Sequence, residues 1–170
     1  MHSALVDTLL LVDDEASQLD KEADSLGYQL ITCTNAMKAY VVDRVEVEVA
    51  GLPRIEAQQR LEPLLKLVRQ AEPLLNELLA SIADGNSSAK IMRRLYKQKG
   101  LHRIVLRLLR SVPVDYHETT APLCYTALAG MCDCDPDVQA DLADNIDVLY
   151  NHFESLPKQV KHHLCITVRT

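Results

Sequence analysis

Aromatic residues are few in this sequence. There is no tryptophan and a single phenylalanine, Phe153, and aromatics together make up 4% of the 170 residues. A core must therefore be filled mainly by Leu, Val, Ile and Ala, as in helix-on-helix packing. Apolar residues at 48% and charged residues at 25% are ordinary for a globular protein and exclude intrinsic disorder. The length suffices for one domain with a real core.

Long apolar runs and a secretory leader are also lacking. No stretch approaches the roughly 20 apolar residues of a membrane helix, and "MHSALVDTLLLVDDE" has no basic start and turns acidic at once. The five cysteines form an odd, irregularly spaced set: Cys33, Cys124, Cys132, Cys134 and Cys165. We expect no direct membrane insertion, and a reduced, cytoplasmic environment in which the thiols act as small apolar residues.

Catalytic motifs are missing as well. The sequence contains no G-x-S-x-G, no H-E-x-x-H and no P-loop. Cys124 could serve as a nucleophile and His117 as its base, but no motif that would orient them surrounds either residue. The prediction is a protein that is not an enzyme and has no catalytic residues.

The stretch "MCDCDPDVQADLADNID" alternates Asp133, Asp135 and Asp137 in the manner of a calcium loop. Such a loop needs Gly at its sixth position and Glu at its twelfth, where this sequence has Val and Asp. A helix start explains the same residues better. It makes Asp135 the N-cap and Pro136 the first helical residue, and it puts Asp137 in the first turn, where the helix dipole favours negative charge.

Zinc is the other metal to consider. Cys132 and Cys134 could bind it together with a later cluster, which comprises His162, His163 and Cys165. The C-x-C spacing differs from the usual C-x₂₋₄-C knuckle, and the two clusters lie about thirty residues apart. Cys132 also falls on the apolar face of its helix, so burial is enough to explain it. We expect no metal and no cofactor.

Helical periodicity dominates the chain, interrupted by Pro and Gly. We expect an acidic helix that ends near Gly27, and a helix rather than a strand over "TNAMKAYVVDRVEVEVAG" despite its alternating Val and Glu. Pro63 and Pro73 either begin new helices or kink one long helix. The clearest apolar stripe follows from 101 onward, and its members are Leu101, Ile104, Val105, Leu108, Leu109 and Val112.

This pattern predicts an all-α fold of helices of about 10 to 15 residues joined by short turns. Such a chain forms either an armadillo-like superhelix or, alternatively, a compact multi-helix bundle. The sequence shows no repeat of fixed length. We divide the chain into an N-terminal helical segment, residues 1–86, and a second helical segment, residues 87–170.

Charge is unevenly distributed. The net charge of −6 argues against nucleic acid as a partner. Residues 87–113 carry eight Lys or Arg and no acid, whereas residues 133–147 carry six Asp and no base. The two blocks either attract one another or each faces its own partner. The candidate interaction surface for an acidic partner or an inositol phosphate comprises Lys90, Arg93, Arg94, Lys97, Arg103, Arg107 and Arg110.

Residues from about 90 to 153 resemble a known family. "RRLYKQKGLHRIVLRLLRSVP", a polar loop and "CYTALAGMCDCDPDVQADLADNIDVLYNHF" are similar to the ryanodine/inositol-trisphosphate receptor homology (RIH) domain. The matching residues of the first helix are Gly100, His102, Val105, Leu106, Leu108 and Leu109. Those of the second part are Cys132, Asp135, Pro136, Gln139, Leu142, Ile146, Asp147 and Leu149. The family's Asn in the turn is Asp here, and residues 1–85 match nothing in it.

The resemblance implies an armadillo-like scaffold segment of a tetrameric calcium-release channel. Its place would be the cytosolic face of the endoplasmic reticulum membrane, and its partners the other domains or subunits of that channel. Its role would be to relay conformational change from ligand sites toward the pore, and no ligand-binding residue is implied. The alternative is a free-standing armadillo-like adaptor that binds a peptide or partner helix in the cytoplasm.

Overall fold

The computed structural model describes the backbone of residues 2–48, 54–111, 119–132 and 135–151, and the side chains of 14–39, 62–111, 119–132 and 135–150. These ranges contain helices and no strand, so the all-α prediction is confirmed. The helices are α1 (His2–Glu48), α2 (Arg54–Ile82), α3 (Ala89–Gln98), α4 (Leu101–Ser111), α5 (Thr120–Cys132), α6 (Pro136–Ala143) and α7 (Ile146–Asn151).

An antiparallel hairpin of α1 and α2 is built on one apolar seam. Buried residues recur in α1 at intervals of four and three residues, at Ala23, Leu26, Leu30, Cys33 and Met37. The same intervals recur in α2, at Leu64, Val68, Ala71, Leu75, Leu78 and Ile82. This is the heptad spacing of helices that interlock along their length. The Cys33 thiol donates a hydrogen bond to the Leu67 carbonyl at 3.2 Å, which marks the register.

Gly27 does not end a helix, so that prediction is wrong. It lies inside α1, which runs on to Glu48, so the prediction of helix is confirmed as far as Glu48. The last three residues of the predicted stretch, 49–51, lie outside the described residues. A Cβ on Gly27 would lie 3.3 Å from Cδ1 of Leu101, the first residue of α4. The glycine therefore allows two helices to approach closely, a role that depends on a contact across 74 residues of sequence.

Pro63 and Pro73 both lie inside α2, so the alternative of one long helix is the correct one. Both prolines are exposed. The carbonyl four residues before a proline loses its helical partner, but on the solvent side water replaces that partner. With 47 and 29 residues, α1 and α2 far exceed the expected length of 10 to 15, because neither Gly27 nor the two prolines interrupt them.

The hairpin is covered by α4, which packs on α1, and by α5, which packs on α2. In α5 a small residue again permits the approach, because a Cβ on Gly130 would lie 2.8 Å from Cδ1 of Ile82. The α3 helix adds Met92 and Tyr96 to the same core, and the Tyr96 and Ser81 hydroxyls share a hydrogen bond of 2.7 Å. One hydrophobic core thus joins both segments proposed from the sequence.

Replacing Leu75 with alanine tests the apolar seam. Leu75 is fully buried at 0% exposure, so Leu75→Ala leaves a cavity and should lower the free energy of unfolding by about 2–5 kcal/mol. The matched control is Asn76→Ala at the exposed position next to it, for which we expect a change below about 0.5 kcal/mol. Urea denaturation measures both, and equal effects of the two substitutions would contradict the seam.

Candidate interaction surface

The basic residues are gathered by the junction between α3 and α4. Gly100 has a φ of +68°, a conformation that glycine adopts without strain. The Gly100 amide donates to the Lys97 carbonyl at 2.9 Å, which closes α3 and lets α4 begin at the next residue. Lys97 at the end of α3, with Arg103 and Arg110 of α4, forms the edge that contacts the acidic block.

The first contact of this edge with the acidic block is made by Lys97. Its Nζ lies 2.8 Å from Oδ2 of Asp135 and 2.9 Å from Oδ2 of Asp137. The other oxygen of Asp135 accepts hydrogen bonds from the amides of Asp137 and Val138. Asp135 is the N-cap of α6 and Pro136 is its first residue, so the prediction of a capped helix start is confirmed.

The second contact joins α4 to the middle of α6 through Asp141. Its Oδ2 accepts hydrogen bonds from Nε of Arg103 at 2.7 Å and from Nε2 of His102 at 2.8 Å. The side chain of His102 is only 5% exposed. Its Nδ1 has no hydrogen-bond partner among the described residues, so Asp141 is the group that anchors this buried ring.

The third contact reaches the start of α7. Nη2 of Arg110 donates to Oδ1 of Asn145 at 2.8 Å and lies 3.9 Å from Oδ1 of Asp147. Lys97, His102 with Arg103, and Arg110 thus meet acidic or amide side chains in the same order along both segments. We call this set of three contacts the charge ladder. Of the two alternatives for the charged blocks, mutual attraction is the one observed.

Electrostatics favours the charged form of two carboxylates of the ladder, Asp135 and Asp141. The Lys97 ammonium, with smaller help from the Val138 and Asp137 amides, lowers the pKa of Asp135 below its ordinary value. The Arg103 guanidinium, and then His102, lower the pKa of Asp141 in the same way. Correspondingly, Asp135 raises the pKa of Lys97 and Asp141 raises that of Arg103. Both acids therefore stabilise the fold when they are ionised.

Two further bases of this block also bind acids of the chain. Nζ of Lys99 lies 2.9 Å from Asp20 and 2.6 Å from Asp24, which ties the end of α3 to α1. Nη2 of Arg93 donates to the Ile82 carbonyl at 2.8 Å and to Asp84 at 3.0 Å. Five of the eight bases in residues 87–113 are thus used inside the molecule.

Three residues of the predicted interaction surface have no ion pair among the described residues: Lys90, Arg94 and Arg107. All three are exposed. Lys90 and Arg94 are one turn apart on α3, beside Ile91, whose side chain is 49% exposed. The sequence grouped seven bases, and the structure divides them into four that form internal ion pairs and three that have no ion pair within the described part of the chain.

The residues that carry the family resemblance lie where helices end or meet. Gly100, Asp135 and Pro136 form helix boundaries, and His102 meets Asp141 as described above. Leu109 and Cys132 are 1% exposed and belong to the core. Gln139 lies in the first turns of α6, and Ile146 begins α7 with its side chain 52% exposed.

The nucleophile considered in the sequence is unsuited to reaction. Burial raises the pKa of the Cys124 thiol far above its ordinary value, and its side chain is 0% exposed. Its drawn partner, His117, lies outside the described residues. Among the residues that the structure describes, no group of three or more His, Cys, Asp or Glu is placed to hold a metal ion. The remaining zinc and calcium candidates, Asp133, Cys134, His162, His163 and Cys165, also lie outside those residues.

The described helices include none that is both long and apolar enough to cross a membrane. No family model, no curated protein and no solved structure matches this chain.

Two contacts in the structure were not predicted from the sequence. Asp141 was seen only as part of an acidic block, although it binds both His102 and Arg103. Glu72 accepts hydrogen bonds from the hydroxyls of Thr119 and Thr120, and so connects α2 to the start of α5. The segregation of charge pointed to the first contact, and no signal in the sequence pointed to the second.

Acidification should weaken the charge ladder. Because the pKa values of Asp135 and Asp141 are lowered by folding, their stabilisation is complete above the unfolded value of about 4 and is lost as pH falls through the folded values. Asp141→Asn should therefore lower stability at pH 7 and flatten the decline below pH about 4. Thermal unfolding from neutral to acidic pH measures this, and a variant that keeps the wild-type slope would contradict it.

The two roles of Asp135 can be separated by substitution. Asp135→Ala removes the cap and the partner of Lys97 and should cost about 0.5–2 kcal/mol of unfolding free energy. Asp135→Asn keeps a capping oxygen and should cost less. Asp137→Ala removes an exposed ion pair and a negative charge from the first turn of α6, but no capping hydrogen bond, and should cost less than Asp135→Ala. Urea denaturation ranks the three, and an Asp137→Ala effect as large as that of Asp135→Ala would contradict the cap.

Proposed function

We propose that this chain is a non-catalytic helical scaffold that works through contacts with other proteins. The charge ladder is the observation that carries the proposal, because it couples α3 and α4 to α6 and α7 through side chains. Of the chemical groups considered for reaction, Cys124 is buried, and the described acids Asp135 and Asp137 serve helix capping and ion pairing. These features support a role in contact and motion.

The finer proposal is an armadillo-like segment of a calcium-release channel related to inositol-trisphosphate and ryanodine receptors. The resemblance of residues 90–153 supports it, and its motif residues Gly100, His102, Asp135 and Pro136 all shape the junction of α3 and α4 with α6. In such a channel the segment lies on the cytosolic face of the endoplasmic reticulum membrane and contacts other domains or subunits of the tetramer.

The mechanism that we propose for the segment is a relay. A ligand site elsewhere in the channel moves α3 and α4, and the charge ladder passes that movement to α6 and α7. Interlocked helices move as units because their packing resists continuous deformation. The short polar contacts at 2.7–2.9 Å keep the two parts in register during the movement.

A free-standing adaptor in the cytoplasm is the second candidate. It is favoured by one observation, namely that Lys90, Arg94 and Ile91 are exposed side by side on α3. Two cations flanking an apolar side chain suit an acidic peptide or helix with an apolar residue of its own.

The coding sequence distinguishes the two candidates. For the channel segment we expect the reading frame to continue beyond the codon for Thr170 into membrane helices and a pore loop. A stop codon directly after Thr170 would contradict the channel and favour the adaptor. Sequencing the complete transcript is the measurement.

Ligand titration tests the relay itself. Because no ligand-binding residue is implied for this segment, the purified chain should bind neither inositol trisphosphate nor calcium. Isothermal titration calorimetry should therefore show no heat of binding with either ligand at concentrations up to about 100 μM, which corresponds to a binding free energy weaker than about −5.5 kcal/mol. Micromolar affinity for either ligand would contradict a passive relay. The same titration after Arg94→Glu and Arg107→Glu would show whether these two exposed cations are responsible.

A further inference from the structure

The side of the α3 helix that faces solvent carries positive charge and no negative charge. Its residues are all exposed and follow one another at intervals of one, three and four, which places them on one side of the helix. They are Lys90, Ile91, Arg94 and Gln98. We call this set the α3 outer face. The buried residues of α3 lie on its opposite side, so the core of the fold makes no use of this face.

The two cations of the α3 outer face differ from most bases near them. Five of the eight bases in residues 87–113 bind side chains of the chain itself, whereas Lys90 and Arg94 form no ion pair with any described residue. Acids are in excess in this chain, whose net charge is −6, and yet the fold brings no described acid to either cation. The positive charge of the face is therefore open to a negatively charged partner.

An apolar side chain lies next to both cations. Ile91 is 49% exposed, follows Lys90 directly and precedes Arg94 by three residues. A single exposed isoleucine is ordinary on a protein surface. Between two cations that have no ion pair in the described structure, however, it forms a small apolar contact with a polar rim, which is the arrangement of a protein–protein interface.

The rest of α3 is fixed to its neighbours, which makes the outer face rigid. The Tyr96 hydroxyl shares a hydrogen bond with Ser81, and Arg93 donates to the carbonyl at the end of α2. Lys97 and Lys99 pair with acids of α6 and α1. A face that is already held in place loses little conformational freedom when a partner binds.

The geometry points to an acidic amphipathic helix of a second protein as the ligand of the α3 outer face. Lys90 and Arg94 are four residues apart, about 6 Å along the helix, and the ten residues of α3 span about 15 Å. A helix that lies along α3 pairs two Asp or Glu of the same spacing with these cations and covers Ile91 with an apolar residue on the same side. The inference deepens the adaptor candidate and rests on it for the claim that the partner is a separate protein.

Other ligands of basic surfaces fit the α3 outer face less well. A phosphate is held by several donors that converge on it, whereas these two cations are spread along a helix beside an apolar side chain. A membrane surface is bound through a broad apolar side of a helix, whereas this face contains one apolar residue. Nucleic acid needs many more phosphate contacts than two cations make. The acidic helix uses both the charge and the isoleucine.

The contact is small, which sets its strength. Exposed ion pairs each contribute little to binding, and the apolar area at Ile91 is that of one side chain. We therefore expect a transient complex with a dissociation constant on the order of 100 μM at low salt. Salt at about 0.5 M should weaken it, because exposed charges are screened.

Nuclear magnetic resonance titration of the isotope-labelled full chain tests the docking. The probe is a synthetic alanine-based helical peptide with two glutamates four residues apart and a leucine on the same side. It should shift the amide signals of α3, and Arg94→Glu should raise the dissociation constant at least about tenfold, because attraction becomes repulsion. The matched control is Arg107→Glu, the same change at an exposed base of α4 without an ion pair among the described residues, for which we expect less than about a twofold effect.

A second matched pair tests the apolar contact. Ile91→Ala should weaken binding of the probe, whereas Ile146→Ala, at a position 52% exposed on α7, should not. Reversing both charges, with Lys90→Glu and Arg94→Glu in one chain, should abolish binding of the glutamate peptide and create binding of a peptide with lysines in its place. Circular dichroism confirms that the variants, all at exposed positions, remain helical.

Several results would overturn the inference. They are an Arg107→Glu effect equal to that of Arg94→Glu, equal binding of a peptide with glutamines in place of the glutamates, and no binding of the probe at all. Binding of phosphatidylserine vesicles or inorganic phosphate through Arg94, without binding of the peptide, would assign the face to a membrane or an anion instead. The adaptor candidate fails separately: a reading frame that continues beyond Thr170 removes the adaptor and leaves peptide binding at α3 unaffected.

Discussion

The apolar seam between α1 and α2 is the contact on which the rest of the described structure depends. It buries one stripe of each helix at heptad spacing, and it leaves the other sides of both helices free to receive α4 and α5. With few aromatic residues, the chain gains most of its stability from many small contacts between aliphatic side chains, and regular spacing over several turns supplies them. Gly27 and Gly130 serve the same packing, because each permits a close approach to the hairpin.

A different kind of contact holds the second half together. The α6 and α7 helices are short, and their described side chains contribute four residues to the core: Val138, Leu142, Val148 and Leu149. Their position is fixed in addition by the charge ladder and by a hydrogen bond of 2.6 Å from the Tyr125 hydroxyl to the Leu149 carbonyl. Apolar burial therefore makes the hairpin rigid, whereas polar contacts that respond to pH and salt attach the last two helices. This contrast supports the relay that we propose.

Features that depend on neighbouring residues could be predicted from the sequence. The Asp135 cap with Pro136 is a local arrangement, and the helix through Val45 and Val47 follows from the absence of a second strand. Features that depend on distant contacts could not be predicted. Gly27 resembles a helix end until Leu101 is placed against it, and the binding of His102 and Arg103 to Asp141 spans 39 and 38 residues. Segregated charge indicated that the two blocks attract, but it did not indicate which residues pair.

Hydrogen–deuterium exchange of the backbone amides, followed by mass spectrometry, tests the central claim most directly. If the apolar seam is the most stable part of the fold, amides of α2 and of residues 19–37 in α1 should exchange slowest, at a rate set by global unfolding. Amides of α6 and α7 should exchange faster, and about 0.5 M salt should accelerate them further while leaving the seam unchanged. Exchange of α6 and α7 as slow as that of α2 and insensitive to salt, or exchange that begins in the seam, would contradict the account.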